Sequence, residues 1–489
     1  MVETRVKKIG NWIGGKDRPS LDGKYFEKRS PHSGDVIWEV PRSSEKEIHE
    51  AVSQAKKVQK EWAQVPAVQR GNILFEFIAK LREKKEEIAH IVADETGKSF
   101  KESLGETQGA IQLGQFYAGE GQRLYGRTTT SGRRDRHVMT IRQPVGVAGL
   151  IIAANTPIAN IAWKVFPALI CGNAAVVKAA EDTPMTAWIF AKIATEAGLP
   201  PGILNVVQGY GNEAGQALVN HPDVRLISFT GSTAVGRQIA VKAGERLAKV
   251  SLELGGKNAL VVCDDADLEN AVHWTVLSAF SNAGQRCASA SRIVVFEPVY
   301  EKFKMLLIES AETQKVGPAD SDDFGPVINE KQLKNMLAAI QKAQTQGAKI
   351  LAGGERLTGP QHASGCYLAP TVIEGASPGD PIAQTELFGP IALLFKVSNF
   401  QEALELTNDN PYGLTAAIHT KNIDRALKFM EQVDTGVASI NGGTYGSEPH
   451  MPFGGTKLSG NGTREPGTEA LDVYTNLKDV YINVDSQNV

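Results

Sequence analysis

The sequence has little cysteine, no long apolar run and no large excess of either charge. Four of its 489 residues are cysteines, without a CxxC pair or a Cys/His cluster of zinc-site spacing, so neither a disulfide framework nor a metal site is expected. The longest apolar stretch, 165–177, is interrupted by proline, glycine and asparagine and is shorter than the roughly 20 residues of a membrane span. The first 15 residues contain no apolar signal segment, so we expect a cytoplasmic protein in a reducing compartment.

Charge and composition exclude several classes of partner. The chain has 52 Lys and Arg against 55 Asp and Glu, a net charge of −3, with 42% hydrophobic and 22% charged residues. No basic domain suggests nucleic acid, and the composition is that of an ordinary globular protein. The expected partners are therefore small molecules, and at roughly 150 residues per domain the length predicts about three domains.

The N-terminal part of the chain contains a long helical segment. Residues 44–120 place apolar residues at helical spacing, and Ser44 with Glu47 has the spacing of a capping box. The polar segment 124–141 that follows has a Ser131-Gly132 turn between two strand-like runs, which predicts a hairpin. Because a polar two-stranded hairpin is marginal alone, we expect it to pair with another subunit.

From Gly146 onward, short β-branched runs alternate with amphipathic stretches of helical length. The strand candidates are VGVAGLII, AAVVK, LNVV, VRLISF and KVSLEL, and the pattern restarts after Gly255 with NALVVC. It continues with a predicted helix at about 267–280, the strand SRIVVF and a predicted helix at about 299–312. The alternation predicts right-handed βαβ units, so the fold class is α/β with two doubly wound, Rossmann-like domains that join near 252–256.

Two glycine-containing loops follow predicted strands, at the position where an α/β sheet binds ligands. They span 209–215 and 229–236, and neither has the GxGxxG spacing of a dinucleotide fingerprint. Since the chain has 48 glycines, each loop alone is a weak indication of phosphate binding.

Cys287 is the cysteine whose neighbours suggest reactivity. It follows Arg286 in the segment SNAGQRCAS, in a glycine-containing turn at the end of a predicted helix. A cation and backbone N–H groups at such a place would lower the thiol pKa and make a nucleophile. The alternative is a small buried apolar residue, an interpretation that suffices for Cys171 and Cys263 and is favoured for Cys366.

Three polar residues lie at the ends of predicted strands, and each allows two interpretations. Glu253 ends an apolar strand, so it is either a general base with a raised pKa or the partner of Lys257 in a salt bridge. Asn155 either caps the next helix or donates its amide to an oxyanion. Lys178 either binds ribose hydroxyls or phosphate, or extends into solvent.

Taken together, the ordered motifs resemble the NAD(P)-dependent aldehyde dehydrogenase superfamily over nearly the whole chain. They are Asn155, Lys178, FTGS at 229–232, LELGGK at 252–257, GQRC at 284–287, ELFGP at 386–390 and PFGG at 452–455. The resemblance implies NAD-dependent oxidation of an aldehyde to the carboxylic acid. In that reaction Cys287 attacks the aldehyde, and the Asn155 amide with the Cys287 N–H holds the oxyanion. A hydride passes to the nicotinamide, and Glu253 activates water against the thioester.

The resemblance also implies a cofactor site on the first α/β domain. Lys178 and Glu181 would bind the adenosine ribose, and Glu386 with Phe388 would position the nicotinamide ribose. A carboxylate at position 181 favours NAD because it repels a 2′-phosphate, although Lys178 beside it leaves NADP open. The implied cofactor residues are Ile152, Lys178, Glu181, Gly211, Phe229, Gly231, Ser232, Val235, Leu254, Glu386 and Phe388.

In the implied cofactor pocket and at the substrate end, the sequence departs from the family pattern. Ala153 and Ala154 replace the usual Pro-Trp, Thr156 replaces an aromatic residue, and Ala179 replaces a proline. Toward the implied substrate tunnel, Thr156, Asn160 and Ser447 stand where large apolar or aromatic residues are common in the family. Each polar side chain that an apolar substrate leaves unpaired costs about 1–3 kcal/mol. We therefore expect a polar aldehyde, such as a semialdehyde carrying a carboxylate or hydroxyls. The implied substrate residues are Thr156, Asn160, Trp163, Arg286, Ser447 and Phe453, and the candidate carboxylate partners are Arg286 and Arg292.

The resemblance assigns 1–123 with 142–252 to a NAD-binding domain and 253–443 to a catalytic domain. Segments 124–141 and 470–489 would form a small β oligomerisation arm, in which the run ALDVYTNLKDVYINV is a strand, and 444–469 a loop region near the substrate. A homodimer or homotetramer is expected, with neither nucleic acid nor membrane as a partner. The alternatives are a CoA-acylating relative, against which Glu253 argues, and a catalytically silent binding or structural protein.

Overall fold

The computed structural model describes residues 7–362 and 364–485. Residues 1–6 of the predicted NAD-binding domain and 486–489 of the predicted arm lie outside this range. The α-helices of the described chain are α1 Glu45–Gln64, α2 Ala67–Glu83, α3 Lys85–Thr96, α4 Phe100–Glu120, α5 Pro157–Ile170, α6 Pro184–Glu196, α7 Gln216–Asn220, α8 Thr233–Glu245, α9 Leu268–Phe280, α10 Glu297–Glu312, α11 Glu330–Thr345, α12 Pro381–Gln384, α13 Phe400–Asn408, α14 Ile423–Gln432 and α15 Ala470–Tyr474.

The strands of the described chain form two large sheets and three small ones. They are β1 Lys7–Lys8, β2 Asn11–Ile13, β3 Lys16–Arg18, β4 Tyr25–Arg29, β5 Val36–Pro41, β6 Thr128–Thr129, β7 Arg136–Pro144, β8 Val147–Ile151, β9 Ala174–Lys178, β10 Leu204–Val207, β11 Val224–Thr230, β12 Lys249–Glu253, β13 Asn258–Val262, β14 Ala290–Phe296, β15 Lys349–Ala352, β16 Thr371–Glu374, β17 Ile391–Val397, β18 Tyr412–Gly413, β19 Thr415–His419, β20 Val437–Ile440, β21 Thr456–Lys457 and β22 Thr475–Asn483.

The first large sheet has the strand order β12-β11-β8-β9-β10-β2-β3. Its strands are parallel from β12 to β10, and β2 with β3 adds an antiparallel edge. The central strands β8 and β9 are buried along their whole length, as expected when helices cover both faces of a sheet. The carboxyl ends of β8, β11 and β12 therefore lie side by side at one edge.

The second large sheet has the order β15-β16-β17-β14-β13-β19-β20. It is parallel except for β15, which pairs antiparallel with β16. The chain passes from the first sheet to the second between β12 and β13, through a short glycine-containing link. Each sheet has its own apolar core. The predicted α/β class with two doubly wound sheets is confirmed.

A third, antiparallel sheet has the order β22-β7-β6. Its nine-residue ladder runs from the Thr475–Pro144 pair to the Asn483–Arg136 pair, so the C-terminal strand joins the predicted hairpin. The run ALDVYTNLKDVYINV is a strand only in its second part. Its first five residues form α15, because four of them are buried against the first domain's core.

Three local segments discussed from the sequence can be compared with the structure. The segment 44–120 forms the four helices α1–α4, and the Ser44–Glu47 capping box is present. The loop 209–215 contains a π-helical turn over Gly211–Gly215. After α9 and before Cys287, the chain forms a short 3₁₀ turn, in which Asn282 and Ala283 have φ values of 54° and 52°.

Within the described ranges, no helix is both long enough and apolar enough to cross a bilayer.

Candidate active site

Two cavities meet at Cys287. The first, of about 390 Å³, lies over the carboxyl ends of β8, β11 and β12 and is called the sheet-edge cavity. The second, of about 440 Å³, lies between α4 and the segment 445–466 and is called the α4 cavity. Both are lined by Asn155, Thr156, Trp163, Cys287 and Phe453. A molecule bound in either cavity would therefore contact the same cysteine residue.

The Cys287 thiol is not activated by its sequence neighbour. Burial raises its pKa to about 12, and the nearby carboxyls of Glu386 and Glu253 raise it further, against N–H donation from the backbone of Cys287 and Ala288. The expected lowering of the pKa by Arg286 is wrong, because that guanidinium donates to Ser281, faces Glu102 at 3.5 Å and lies over the Tyr445 ring. The thiol is protonated at neutral pH.

The Asn155 side chain faces the segment 281–287, which carries Cys287 and is called the cysteine loop. Its Nδ2 donates to the Gln285 carbonyl at 2.9 Å, and its Oδ1 accepts from Asn160 Nδ2 at 3.4 Å. It does not cap α5, whose N-cap is Thr156 without a side-chain hydrogen bond. An amide held on both sides at the cavity wall can donate its second proton to an oxygen bound near Cys287.

Glu253 lies buried at the end of β12, and both carboxyl oxygens are without a hydrogen-bond partner among the described residues. Burial and then the charge of Glu465 raise its pKa well above 4.5, while Lys164 and Arg464 oppose that rise. Burial lowers the pKa of Lys257, the alternative partner, to about 7. The charge of Arg292 lowers that pKa further, and the charge of Glu386 opposes the shift. An unpaired carboxyl with a raised pKa has the properties of a general base.

Two adjacent glycines allow the parts of the site to approach each other. A Cβ on Gly255 would lie 2.2 Å from Glu386 Oε2, and a Cβ on Gly256 would lie 2.5 Å from the Cys287 carbonyl oxygen. The Gly256 N–H donates to Glu386 Oε1 at 3.0 Å. Burial raises the Glu386 pKa to about 7. The LELGGK segment thus brings Glu386 and the cysteine loop to the same wall.

The sheet-edge cavity has features that fit the nicotinamide half of a dinucleotide. Its lining includes Gly231 and Ser232 after β11, Leu254 after β12, and Glu386 with Phe388. The hydroxyl of Thr230 beside them is buried and has no hydrogen-bond partner among the described residues. The other predicted cofactor residues do not line it: Ile152, Lys178, Glu181, Gly211, Phe229 and Val235 lie at or beyond strand ends of the same sheet edge.

Lys178 does not extend into solvent. Its side chain is 3% exposed and forms an ion pair with Glu181 at 2.7 Å, while the Glu181 side chain is 44% exposed. The carboxylate thus remains accessible at the surface of the sheet edge, and the lysine is held beneath it.

The predicted substrate residues are distributed over both cavities. Asn160 lines the sheet-edge cavity, Arg286 and Ser447 line the α4 cavity, and Thr156, Trp163 and Phe453 line both. Arg292 is a wrong candidate for a substrate carboxylate. It is fully buried in β14, and its guanidinium donates to the carbonyls of Ala383 and Leu406.

Sequence reasoning missed three charged residues of the α4 cavity: Lys98, Glu102 and Glu106. Their spacing of four residues is the available signal: Glu102 and Glu106 share one face of α4, and Lys98 lies just before the helix. It also missed Glu465, a buried residue whose carboxylate forms an ion pair with Lys164 at 2.8 Å. The charge of Glu465 is one of the causes that raise the Glu253 pKa. No local pattern marks the ion pair of Glu465 with Lys164, because the two residues are far apart in sequence.

The chain matches known proteins over nearly its whole length. The model of the family described as "Aldehyde dehydrogenase family" matches residues 18–480. Alpha-ketoglutaric semialdehyde dehydrogenase of Bacillus subtilis is 37% identical over 475 residues, 96% of this chain and 97% of the relative. Mitochondrial succinate-semialdehyde dehydrogenase of Arabidopsis thaliana is 38% identical over 469 residues, 95% and 88% of the two chains. A betaine aldehyde dehydrogenase structure from Staphylococcus aureus in complex with NAD⁺ has a TM-score of 0.94 at 31% identity, covering 97% and 96%.

Proposed function

The chain belongs to the aldehyde dehydrogenase family, and from that premise we propose that Cys287 carries an NAD-dependent oxidation of a polar aldehyde to its acid. The observation that carries the proposal is the position of Cys287 where the two cavities meet, with Asn155 and Glu253 in the wall of the sheet-edge cavity. A cofactor and a substrate can then reach one sulfur from two sides.

The first half of the reaction forms a covalent bond from Cys287 to the aldehyde carbon. Because the pKa of the thiol is about 12, attack proceeds through the small thiolate fraction, whose proton has been released to the solvent, and the rate of attack rises with pH. The carbonyl oxygen becomes an oxyanion that the Asn155 Nδ2 and the Cys287 N–H stabilise. Bound NAD supplies the hydride acceptor, and a thioester remains on Cys287.

The second half releases the acid. Glu253 accepts a proton from water, which attacks the thioester carbon, and Cys287 leaves as the thiolate. The raised pKa of Glu253 makes its carboxylate a stronger base than an ordinary one. A CoA-acylating enzyme needs no such base, since CoA takes the acyl group, so the buried Glu253 argues against that alternative.

The adenosine end of the cofactor is proposed to lie over Lys178 and Glu181. The exposed carboxylate of Glu181 can accept from a ribose 2′-OH and repels a 2′-phosphate, which supports NAD over NADP. Lys178 is paired with that carboxylate, so its charge is not free for a phosphate.

The substrate is proposed to be an aldehyde that carries a carboxylate. Two relatives are named for semialdehydes of dicarboxylic acids, and the α4 cavity of this chain presents the guanidinium of Arg286 and the hydroxyl of Ser447. A hydrogen bond from Arg286, whose guanidinium also contacts Ser281 and Glu102, would orient the far end of such a substrate while its aldehyde reaches Cys287.

The protein is proposed to be a homodimer or homotetramer in a reducing compartment such as the cytoplasm. β22 is an edge strand of the third sheet and exposes apolar side chains, Leu477 and Tyr481 on one face and Ile482 on the other, which favours pairing with another copy. The four cysteines are unpaired, which supports the reducing compartment.

The test is NADH formation at 340 nm with a panel of carboxylated and alkyl aldehydes, with and without CoA. We expect CoA-independent turnover of a carboxylated aldehyde by the parent and none by Cys287→Ala. The buried Cys263→Ala serves as the matched control and should keep its activity. Turnover that persists in Cys287→Ala would refute the proposal.

A further inference from the structure

Three charged side chains, one just before α4 and two within it, contact both loops of the candidate active site. Lys98, Glu102 and Glu106 are spaced four residues apart and line the α4 cavity together. Glu102 and Glu106 therefore share one face of the helix. None of the three belongs to the reaction proposed above, so their contacts need a separate explanation.

Lys98 and Glu106 hold the loop that carries Asn155. Lys98 Nζ donates to the Asn155 carbonyl oxygen at 2.8 Å and forms an ion pair with Glu106 Oε2 at 2.6 Å. The two side chains are 4% and 7% exposed. Glu106 Oε1 accepts from the N–H groups of Ile158 and Ala159 at 3.0 and 3.2 Å. Glu106 thus provides the cap that α5 lacks at its own N-cap residue.

Glu102 holds the loop that carries Cys287. Its Oε1 accepts from the Asn282 N–H at 2.9 Å, and Arg286 lies 3.5 Å from the same oxygen. Asn282 has a left-handed backbone, a conformation that asparagine adopts more readily than most other non-glycine residues. Its Nδ2 donates to the Asn155 and Gln285 carbonyls at 3.3 and 3.2 Å. The two loops are therefore joined to each other and to α4.

We propose that Lys98 and Glu106 are positioning residues that fix the Asn155 amide at the oxyanion. The inference rests on the proposed function, because it acts through the role of Asn155 there. Oxyanion donors must be held within about 0.5 Å of the productive geometry, and a displacement of about 1 Å costs up to 10²-fold in rate. That restraint is provided by a buried ion pair with one hydrogen bond to the Asn155 carbonyl and two to the first turn of α5, which closely follows Asn155.

The test is single-turnover NADH formation by Glu106→Gln and Lys98→Met, with and without Asn155→Ala in the same chain. Each single variant should slow NADH formation about 10–100-fold, while Cys287 alkylation by iodoacetamide stays within about threefold of the parent. In the Asn155→Ala background the second substitution should change the rate less than about threefold, because the amide to be positioned is gone.

Three further variants keep the result interpretable. Lys98→Arg retains the cation and should recover most of the rate lost in Lys98→Met, and Glu106→Asp, which retains the charge, tests the same coupling if Glu106→Gln does not fold. Lys304→Met removes an ion pair remote from both cavities, with Glu301 and Glu374 at 2.8 and 3.0 Å, and should leave the rate unchanged.

Three outcomes would overturn the inference. Rates equal to the parent in the single variants, or full additivity with Asn155→Ala, would mean that the ion pair has no action through the amide. An unaffected rate in Asn155→Ala alone would contradict the role of Asn155 in the proposed function, and this inference with it.

Discussion

Glu386 should lower the folding stability of the cofactor-free protein at neutral pH. Burial raises the pKa of its carboxyl from 4.5 to about 7, although the Gly256 N–H and Lys257 oppose this. An acid whose folded-state pKa is raised binds its proton more tightly when folded. It therefore leaves folding unaffected below about pH 4.5 and opposes folding increasingly as the pH rises to 7. At about 1.4 kcal/mol per pKa unit, the cost is about 3 kcal/mol at pH 8 and about 1 kcal/mol at pH 5.

The perturbation is Glu386→Gln, which keeps an oxygen to accept from the Gly256 N–H but has no charge to bury. Urea unfolding of the cofactor-free protein should show the variant to be more stable by about 3 kcal/mol at pH 8 and by about 1 kcal/mol at pH 5. The same variant should raise the KM for NAD, because a carboxylate accepts more strongly than an amide from ribose hydroxyls.

Glu374→Gln is the matched control. Hydrogen bonds from Lys304 and Tyr300 help to hold the Glu374 pKa below 4.5, so its carboxylate stabilises the fold above that pH, and its loss should destabilise the protein at pH 8. A Glu386→Gln variant that is no more stable than the parent at pH 8, or whose gain does not depend on pH, would refute the reasoning.

Three further variants separate the proposed roles. Glu253→Gln should keep single-turnover NADH formation within about threefold while steady-state turnover falls about 10²–10⁴-fold; equal losses in both would contradict its role as the water-activating base. In the parent, steady-state turnover should already fall while the pH is still well above 4.5. The pKa of Glu253 is raised, so the base becomes protonated in that range. Arg286→Met should lower kcat/KM about 10–100-fold for a carboxylated aldehyde and leave it unchanged for an alkyl aldehyde. Glu181→Gln should reduce the preference for NAD over NADP, measured as the ratio of kcat/KM values, and an unchanged ratio would count against the carboxylate.

The fold class was predictable because its signals are local. Strands such as β8 and β9 are short β-branched runs that are buried along their whole length, and the intervening helices have apolar residues at helical spacing. The capping box at Ser44 involves residues three apart. α15 was missed because a five-residue apolar run has no periodicity that separates helix from strand, and its burial against the first domain decides its structure.

The environment of the site was less predictable than its members. Arg286 precedes Cys287 in sequence, yet its guanidinium faces Glu102 and Tyr445, and burial raises the thiol pKa instead. Likewise, Arg292 is close to Cys287 in sequence, but its guanidinium donates to the carbonyls of Ala383 in α12 and Leu406 in α13. The contacts of Lys98 with Asn155 connect residues 57 apart, and no motif spacing encodes such a pair.

The measurement that tests the central claim most directly is the mass of Cys287 during turnover. Glu253→Gln, mixed with NAD and a carboxylated aldehyde and quenched in acid, should carry the acyl group on the peptide that contains Cys287. The adduct should be absent without NAD and in the double variant that also carries Cys287→Ala. NADH formation without any adduct, or with the acyl group on another residue, would contradict the account.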